Sequence, residues 1–482
     1  MESIYNDDIY STRVQHKVTR WDLGTKIDLD QVRYIIVCCH ACRDPSVAAE
    51  RTTFSAGCQE WVTTFTFERL LIVCVMAILE GCLAVMAAVP ATLTYKFFAF
   101  PMPPQAEETY KRRTLLLFWW ILQSWIKFKL CFVKGHEIMM ARVEAPPRSY
   151  PEDTVVTEDT EMMGVPVRIF RPKEASDDKL PGVIYYHGGG WCWDLWEAYD
   201  ATLRVVARLD KMVIVSVRYR LAPENPFPAG PDDCFVVTRH VLENTETLGM
   251  DPENITLMGD SAGGNLAMVM MIKLLSPSKK IDNLSKVKNL VLIYPALQAM
   301  NFKLPSYRQH RGSNIPTILS SELMVKFYVA YALGMESVDV EELLENSHWS
   351  EEMEAKSTCR WIQKEADSLR DATESDPKHR NSFLAKKVNK YFLDPHFSPL
   401  LADDTILKRF PNTYVLSAEM DPLRDDSFLL VKRLNELGVR VKHRHWESMD
   451  HGFTGNTILY KNAQKALEEV VEYLKQQSTD DI

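Results

Sequence analysis

Two short glycine-containing motifs carry residues whose types and spacing suit nucleophilic chemistry. The first is His187-Gly188-Gly189-Gly190, and the second is Gly259-Asp260-Ser261-Ala262-Gly263. The second fits Gly-x-Ser-x-Gly, in which a strand turns abruptly into a helix and small neighbours let a strained backbone hold the serine exposed. Glycines after a strand let backbone N–H groups approach a substrate oxygen. The motifs therefore predict a serine nucleophile and four N–H groups for an oxyanion, those of Gly188, Gly189, Gly190 and Ala262.

The sequence around both motifs predicts the elements that position them. Val183-Ile184-Tyr185-Tyr186 has the pattern of a buried strand, and Ile255-Thr256-Leu257-Met258 is a second short apolar run with β propensity. Residues 264–272 continue as an apolar helix, so Ser261 falls where strand meets helix. We expect His187 to shape the glycine loop and Asp260 to hold the turn by hydrogen bonding.

A serine hydroxyl needs a base, and the base needs an orienting acid. In the strand–turn–helix arrangement the chain order is serine, then Asp or Glu, then histidine. Thr413-Tyr414-Val415-Leu416-Ser417 predicts a strand whose exit loop holds Asp421, and residues 439–446 predict another whose exit loop holds His451. Asp421 and His451 are therefore the predicted acid and base.

Other acidic and histidine residues nearby have simpler interpretations. Asp425 and Asp426 stand at the start of a predicted helix, where free backbone N–H groups and the helix dipole favour carboxylates. His443 and His445 lie inside a predicted strand on one face, which is typical of packing residues. Asp450 is interpreted as a turn former.

Several motifs in a fixed order make the chain resemble a known family. They are His187–Cys192, Tyr219–Glu224, Phe227–Ala229, Gly259–Ala267, Tyr294–Gln298, Ser398–Asp404, Asp421–Asp426 and His451–Phe453. Over about residues 100–482 the chain resembles the hormone-sensitive lipase family of α/β-hydrolases, and within it the branch of arylacetamide deacetylase and neutral cholesterol ester hydrolase. The resemblance implies an α/β fold with a mostly parallel sheet between helices.

The resemblance also implies roles and a domain plan. Ser261, Asp421 and His451 correspond to the catalytic triad, and the glycine loop with Ala262 to the oxyanion hole. Residues 95–482 form the hydrolase domain, with a cap from 95–150 and 300–390. In the family the cysteine of the first motif pairs with one three residues before the triad aspartate; here Cys192 is present but that second position is Ala418, so the bridge cannot form.

Composition is compatible with such an enzyme and argues against other classes. The net charge is −9 and the pI is near 5.8, with no basic run, which weighs against nucleic-acid binding. Cys38-Cys39-His40-Ala41-Cys42 has no second ligand pair at a suitable spacing, so we favour unpaired thiols or an acylation site over zinc. No metal and no organic cofactor is expected.

One apolar run is long enough to cross a bilayer. Leu70 to Leu93 spans 24 residues with a single charge, Glu80, and a membrane-spanning helix needs about 20 apolar residues. We predict an uncleaved single-pass anchor at 69–94, with a buried core helix as the alternative that Glu80 and Pro90 favour. Residues 1–68 carry no recognisable chemistry, and we expect an extension with little order.

The orientation of this anchor is left open. Basic residues are more numerous downstream (Lys96, Lys111, Arg112, Arg113) than upstream (Arg51, Arg69), which favours a cytoplasmic enzyme. The family resemblance implies a catalytic domain in the lumen of the endoplasmic reticulum. Asn254-Ile255-Thr256 and Asn283-Leu284-Ser285 are glycosylation patterns usable only there. We place the protein at the endoplasmic reticulum membrane.

Two further segments belong to the predicted cap. Leu115–Ile126 is apolar, contains three tryptophans and precedes Lys127, a composition that suits either a membrane interface or packing on the enzyme body. Residues 336–390 are highly charged and predict a solvated helical insertion whose charges interrupt any continuous core.

Together these features predict a membrane-anchored serine hydrolase of the carboxylic ester class (EC 3.1.1), acting on apolar ester or amide substrates, small molecules or lipids, through an acyl-enzyme on Ser261. The alternative is a small-molecule receptor or inert scaffold on the same fold. The presence of His451 favours catalysis over that alternative.

Overall fold

The computed structural model describes nine ranges of the chain: 92–97, 108–130, 150, 154–173, 179–276, 287–312, 317–368, 379–457 and 460–479. The predicted extension 1–68, the predicted anchor up to residue 91, Cys38–Cys42 and Asn283 lie outside the described residues. Within the described ranges no helix combines the length and the hydropathy needed to cross a membrane.

The described strands form one sheet. They are β1 (Val155–Met162), β2 (Val165–Pro172), β3 (Leu180–Tyr186), β4 (Val213–Val217), β5 (Met250–Asp260), β6 (Val287–Ile293), β7 (Asn412–Met420) and β8 (Val441–Asp450). Their order is β1-β2-β4-β3-β5-β6-β7-β8. Pairings from β4 to β8 are parallel, and those of β1 with β2 and of β2 with β4 are antiparallel. The predicted α/β fold with a mostly parallel sheet is confirmed.

The sheet is covered on both faces by helices. These are α1 (Thr109–Leu130), α2 (Asp200–Leu209), α3 (Ala229–Glu243), α4 (Ala262–Leu275), α5 (Pro305–Gln309), α6 (Ser321–Leu333), α7 (Val340–Leu344), α8 (Glu351–Ala355), α9 (Ser357–Ser368), α10 (Ser382–Phe392), α11 (Asp404–Leu407), α12 (Arg424–Glu436) and α13 (Lys461–Thr479). All residues of α4 are buried. Such double cover explains why the central strands β3, β4 and β6 are largely apolar.

Alternation along each strand divides the interior into two cores. Val183 and Tyr185 contribute to one core together with residues of α2 and α13. Ile184 and Tyr186 contribute to the other, larger core together with α4 and the helices of the 300–390 region. Because successive strand residues point to opposite faces, every central strand serves both cores.

The charged 336–390 region contributes to the larger core. Leu343, Met353 and Ile362 are buried within it, whereas Glu345 is half-exposed and pairs with Arg311. The expectation that charges interrupt the core here is therefore wrong. Short helices α7 to α9 turn their few apolar side chains inwards and leave the carboxylates in water.

Helix α1 has a buried side and an exposed apolar side. Arg112 and Leu116 are buried, whereas Tyr110, Phe118, Ile121 and Trp125 are 72%, 59%, 43% and 52% exposed. The spacing of these four exposed residues places them along one side of the helix; we call them the apolar stripe of α1. The helical segment 92–97 lies against the start of α1, where the rings of Phe97 and Tyr110 meet at 5.5 Å between centroids.

Candidate active site

Ser261 occupies a sharp turn between β5 and α4. β5 ends at Asp260 and α4 begins at Ala262, and the serine has φ +55° and ψ −119°. A non-glycine residue at positive φ is strained, as a nucleophile elbow requires. A Cβ on Gly263 would overlap the carbonyl oxygen of Tyr186, so the small residue is needed for helix and strand to approach. The predicted strand and helix on either side of Ser261 are both present.

Ser261, His451 and Asp421 form one hydrogen-bonded chain. The Ser261 Oγ lies 2.9 Å from His451 Nε2, and His451 Nδ1 lies 2.7 Å from Asp421 Oδ2. Asp421 leaves the end of β7 and His451 leaves the end of β8, so parallel neighbouring strands deliver both to one edge of the sheet. Their backbones are also joined next to the site, since the His451 N–H donates to the Met420 carbonyl at 3.3 Å.

The environment of Asp421 fixes the hydrogen positions in this chain. Asp421 is fully buried, and its Oδ1 accepts the Leu423 N–H at 2.8 Å. A carboxylate only accepts, so His451 Nδ1 carries the proton that faces Oδ2, and the neutral ring presents an unprotonated Nε2 to Ser261. This arrangement lets the imidazole take the serine proton. The ring of Tyr294 packs beside the imidazole, with 4.7 Å between centroids.

The glycine loop is held by the residues on both sides of it. His187 Nδ1 donates to the Gly188 carbonyl at 2.7 Å, and its ring stacks on Tyr219, whose hydroxyl donates to the His187 carbonyl at 2.7 Å. Burial lowers the pKa of His187, which keeps the ring neutral. Gly190 has φ +61° and its Cα faces the Phe327 ring, which a Cβ would overlap. Glycine is therefore required there.

The Gly188 N–H was predicted to bind the oxyanion, but in the structure it has another partner. It donates to Asp260 Oδ1 at 2.8 Å and is unavailable to a substrate. In the described part of the chain no acceptor takes the N–H of Gly189 or Gly190, and the Ala262 N–H lies at the first turn of α4, where no intrahelical acceptor exists. Gly188 thus anchors the loop, and the other three N–H groups stay free to bind an oxyanion.

Asp260 collects three donors beneath the glycine loop. Besides Gly188, the Tyr185 hydroxyl donates to Oδ1 at 2.7 Å and the Tyr199 hydroxyl donates to Oδ2. Burial raises the pKa of Asp260, and the three donors oppose that rise because they stabilise the ionised form. The carboxylate thus ties the serine turn, the loop and the region before α2 together by hydrogen bonding, as expected from its place beside Ser261.

An apolar cavity opens onto the serine. Its volume is about 270 Å³. Its floor holds Ser261, His451 and the glycine loop, and its walls are mostly apolar side chains, including Trp193, Leu195, Ile318, Leu319, Leu323, Met324 and Phe327. Three of these wall residues belong to α6, in the region predicted as cap. The site therefore presents a mostly apolar surface to a substrate.

The histidine and aspartate residues that were not predicted to belong to the triad have structural roles. His443 and His445 both contact the Ser417 hydroxyl, at 2.8 and 2.9 Å, their rings meet Phe428 of α12, and neither lines the cavity. Burial lowers the pKa of His443 to about 4. Asp425 and Asp426 lie in the first turn of α12 as predicted. In addition, Asp425 accepts the N–H of Ser306 in α5 and Asp426 accepts the N–H of Leu297 in the loop after β6.

Asp426 binds the loop that follows β6. Its Oδ2 accepts the Leu297 N–H at 2.9 Å and its Oδ1 accepts Gln298 Nε2 at 3.0 Å. Burial raises the pKa of Asp426 to about 8 against these donors. Asp450, the predicted turn former, is instead the last residue of β8 and is paired with Arg112.

Sequence reasoning missed Tyr185, Tyr199 and Arg112. Tyr185 lies two residues before His187 in a predicted strand, where it looked like ordinary core. Tyr199 has no motif around it, and Arg112 is one of several basic residues after an apolar run. Among the described residues no group of His, Cys, Asp or Glu is arranged to hold a metal ion. Cys192 is buried and forms no disulfide within the described part of the chain. The Nδ2 atom of Asn254, to which a glycan would be attached, donates to Ser478 Oγ at 2.9 Å.

Comparison with known proteins decides the family. A family model described as "alpha/beta hydrolase fold" matches residues 183–379 and 355–455. The chain belongs to this α/β-hydrolase family. It is 36% identical to arylacetamide deacetylase of Bos taurus, over 70% of the chain and 83% of that protein, and 35% identical to neutral cholesterol ester hydrolase 1 of Rattus norvegicus, over 63% and 75%.

Solved structures agree with this assignment. An esterase from Pyrobaculum calidifontis is 26% identical with a TM-score of 0.52, covering 78% of this chain and 99% of that one. The predicted resemblance and the predicted enzyme class, the carboxylic ester hydrolases, are confirmed.

Proposed function

We propose that the chain hydrolyses apolar carboxylic esters or amides through an acyl-enzyme on Ser261. The observation that carries the proposal is the unbroken hydrogen-bonded chain from Ser261 through His451 to Asp421 at the floor of an apolar cavity. Ser261 Oγ attacks the substrate carbonyl carbon while His451 Nε2 accepts the hydroxyl proton. His451 then protonates the leaving alcohol or amine, and water, activated by the same nitrogen, releases the acid.

The tetrahedral intermediate places a negative charge beside the glycine loop. We assign its binding to the N–H groups of Gly189, Gly190 and Ala262, because the fourth predicted donor, Gly188, already serves Asp260. Each such donor contributes about 3 kcal/mol to stabilising a transition state of this kind. Asp260 acts indirectly, since it holds the loop from which two of the three donors point.

The cavity limits the substrate class. Its volume of about 270 Å³ lies just below the usual range of pockets for drug-sized ligands, roughly 300–1,000 Å³, so it suits the acyl part of a substrate and leaves the alcohol or amine part outside. By their names, the relatives act on arylacetamides and on cholesterol esters. Arylacetamides and cholesterol esters are both apolar carbonyl compounds, and we propose that this chain also acts on substrates of that kind.

Ser261→Ala provides the first test, with Ser417→Ala as the matched control. Both hydroxyls contact a histidine, but Ser417 is fully buried while Ser261 faces the cavity. We expect Ser261→Ala to abolish labelling by a fluorophosphonate probe and hydrolysis of a short nitrophenyl ester, and Ser417→Ala to retain both. Persistent labelling of Ser261→Ala would place the nucleophile elsewhere.

We further propose that the enzyme works at a membrane, with the apolar stripe of α1 against lipid. The apolar run 70–93 continues in sequence into the helical segment 92–97. This segment contacts the start of α1, where the Arg113 guanidinium donates to the Phe97 carbonyl at 2.7 Å. Trp119 of α1 meets Trp193 of the cavity wall at 5.7 Å between ring centroids. Trp119 lies on the side of α1 opposite the stripe, so lipid at the stripe would be separated from the cavity wall by the width of α1.

A lipid-sensitive label distinguishes this placement from ordinary solvent exposure. The full chain is reconstituted in vesicles with an environment-sensitive fluorophore at Ile121→Cys, or at Phe383→Cys, which is 78% exposed on α10. A lipid-borne quencher should act on the first label and spare the second. Equal, weak quenching of both labels would exclude lipid at the stripe.

The compartment follows from the family resemblance, and we propose the endoplasmic reticulum membrane. The side of the catalytic domain is decided by protease protection of the carboxyl terminus in sealed microsomes. Protection indicates a lumenal domain, and digestion indicates a cytoplasmic one.

A further inference from the structure

A buried ion pair joins α1 to the end of β8, the strand that His451 directly follows. Arg112 is 1% exposed, and its guanidinium contacts Asp450, 338 positions away in sequence, through two hydrogen bonds: Nε to Oδ2 at 2.7 Å and Nη2 to Oδ1 at 2.8 Å. Asp450 is 3% exposed. Such a two-bond arrangement fixes direction as well as distance, which a lysine could not do.

The partner of Arg112 lies where both catalytic loops begin. Asp450 is the last residue of β8 and stands opposite Met420, the last residue of β7, beyond an irregularity in the register at Ala418. The next residue after Asp450 is His451, and the next after Met420 is Asp421. Arg112 therefore contacts the end of β8 one residue before the base, and that strand end pairs with the end of β7 one residue before the acid.

A second contact holds the start of α1 in the same place. Glu108 accepts the Lys461 N–H at 3.3 Å, at the first residue of α13, and Leu116, one turn after Arg112, is buried. Tyr460, buried beside this junction, has its pKa raised by burial and by Asp450. The first turns of α1 thus contact both the end of β8 and the start of α13.

We propose that Arg112 is a positioning residue for the hydrolytic reaction, an inference that rests on the proposed role of His451. By holding the Asp450 carboxylate, the guanidinium keeps the end of β8 in register with β7, so that His451 stays within hydrogen-bond reach of both Ser261 and Asp421. Displacements of about 1 Å in a reacting group can slow an enzyme about 100-fold. The effect should fall on kcat, because substrate contacts with the cavity wall do not involve Arg112.

The test separates positioning from stability. Variants are Arg112→Met, Arg112→Lys and the double variant Arg112→Met/Asp450→Leu, with kcat expressed per active site counted by fluorophosphonate titration. For Arg112→Met we expect kcat to fall about 10- to 100-fold with KM within about 2-fold of wild type. Arg112→Lys should recover part of kcat, since it restores the charge and one hydrogen bond.

The double variant keeps the test decisive if Arg112→Met folds poorly. It contains no unpaired buried charge, so its melting temperature should recover while its kcat stays low. Arg433→Met is the matched control, because Arg433 is also a buried arginine paired with an aspartate, Asp404, but lies at the far end of α12. It should lower the melting temperature and leave kcat per active site unchanged.

A folded double variant with wild-type kcat would overturn the proposal. So would an Arg433→Met variant that loses as much kcat as Arg112→Met, since general loosening would then explain both. Failure of the proposed function has a different signature, continued labelling of Ser261→Ala, and the two outcomes cannot be confused.

Discussion

Replacing Asp421 by asparagine changes one oxygen to nitrogen at nearly constant volume. The Leu423 N–H, 2.8 Å from Oδ1, requires an acceptor and so fixes the amide oxygen in that position. The amide nitrogen then takes the place of Oδ2, 2.7 Å from His451 Nδ1, and donates to it. The ring proton moves to Nε2 and points at Ser261. In this tautomer the imidazole cannot accept the serine proton.

The alternative orientation of the amide is also unfavourable. It returns an oxygen to His451 but sets the NH2 group against the Leu423 N–H in a fully buried place, and an unsatisfied buried donor costs about 1–3 kcal/mol. Even this minority form lacks the negative charge that stabilises the imidazolium. A comparable change in another serine hydrolase lowers kcat about 10⁴-fold, which corresponds to roughly 5 kcal/mol of barrier. We expect a loss of that order for Asp421→Asn.

The assay is steady-state hydrolysis of a short nitrophenyl ester together with the rate of fluorophosphonate labelling. Asp339→Asn is the control, because Asp339 caps α7 at the surface and asparagine caps a helix about as well. It should behave as wild type in both measurements. A loss smaller than about 10-fold for Asp421→Asn, in a protein with an unchanged melting temperature, would show that another group orients His451.

Three further changes test other parts of the site. Tyr199→Phe removes one of the donors to Asp260 and should lower the free energy of unfolding by about 1–3 kcal/mol in urea titrations; an unchanged midpoint would contradict the hydrogen bond. Phe327→Ala opens the cavity wall and should raise kcat/KM for longer acyl chains by about 10-fold for each added methylene that the new space accepts. An unchanged dependence of kcat/KM on chain length would place the acyl group elsewhere. Burial lowers the pKa of His443 to about 4, so between pH 6.5 and 4 the unfolded chain binds a proton that the folded chain does not. This contribution to stability is present above pH 6.5 and is lost towards pH 4. Because water still reaches part of the ring, wild type should lose only about 1–2 kcal/mol more than His443→Gln on acidification, and parallel stability curves would refute this expectation.

The positions of Ser261, Asp421 and His451 were predictable from sequence because each follows a segment that predicts a strand, apolar before Ser261 and Asp421 and alternating before His451. The strands of a parallel sheet place their carboxyl ends at one edge, so three local patterns sufficed to predict a meeting of residues up to 190 positions apart. The hydrogen bonds between them remained a matter of geometry, which spacing alone does not determine.

The role of Gly188 was not predictable in the same way. The three glycines of its motif look equivalent in sequence, and only the place of Asp260 beneath the loop distinguishes the first from the others. Tyr185 and Tyr199 were hidden for a related reason, since an aromatic residue in an apolar context looks like core whether or not its hydroxyl has a partner.

Arg112 shows a second limit of sequence reasoning. Its neighbours Lys111 and Arg113 are basic as well, and a run of charges after an apolar segment is typical of a membrane boundary. That one of the three is buried depends on the rotation of α1 about its axis, which the pattern of this helix does not fix because apolar residues occur on several of its sides.

The pair of Arg112 and Asp450 bears on how this enzyme can be produced in the laboratory. Anchored hydrolases are commonly shortened to the start of their first strand to obtain a manageable recombinant protein. Here such a fragment, beginning after residue 130, would lack Arg112 and leave Asp450 without its counter-ion. A usable truncation therefore has to begin upstream of residue 108, so that α1 is retained and only the preceding apolar run is removed.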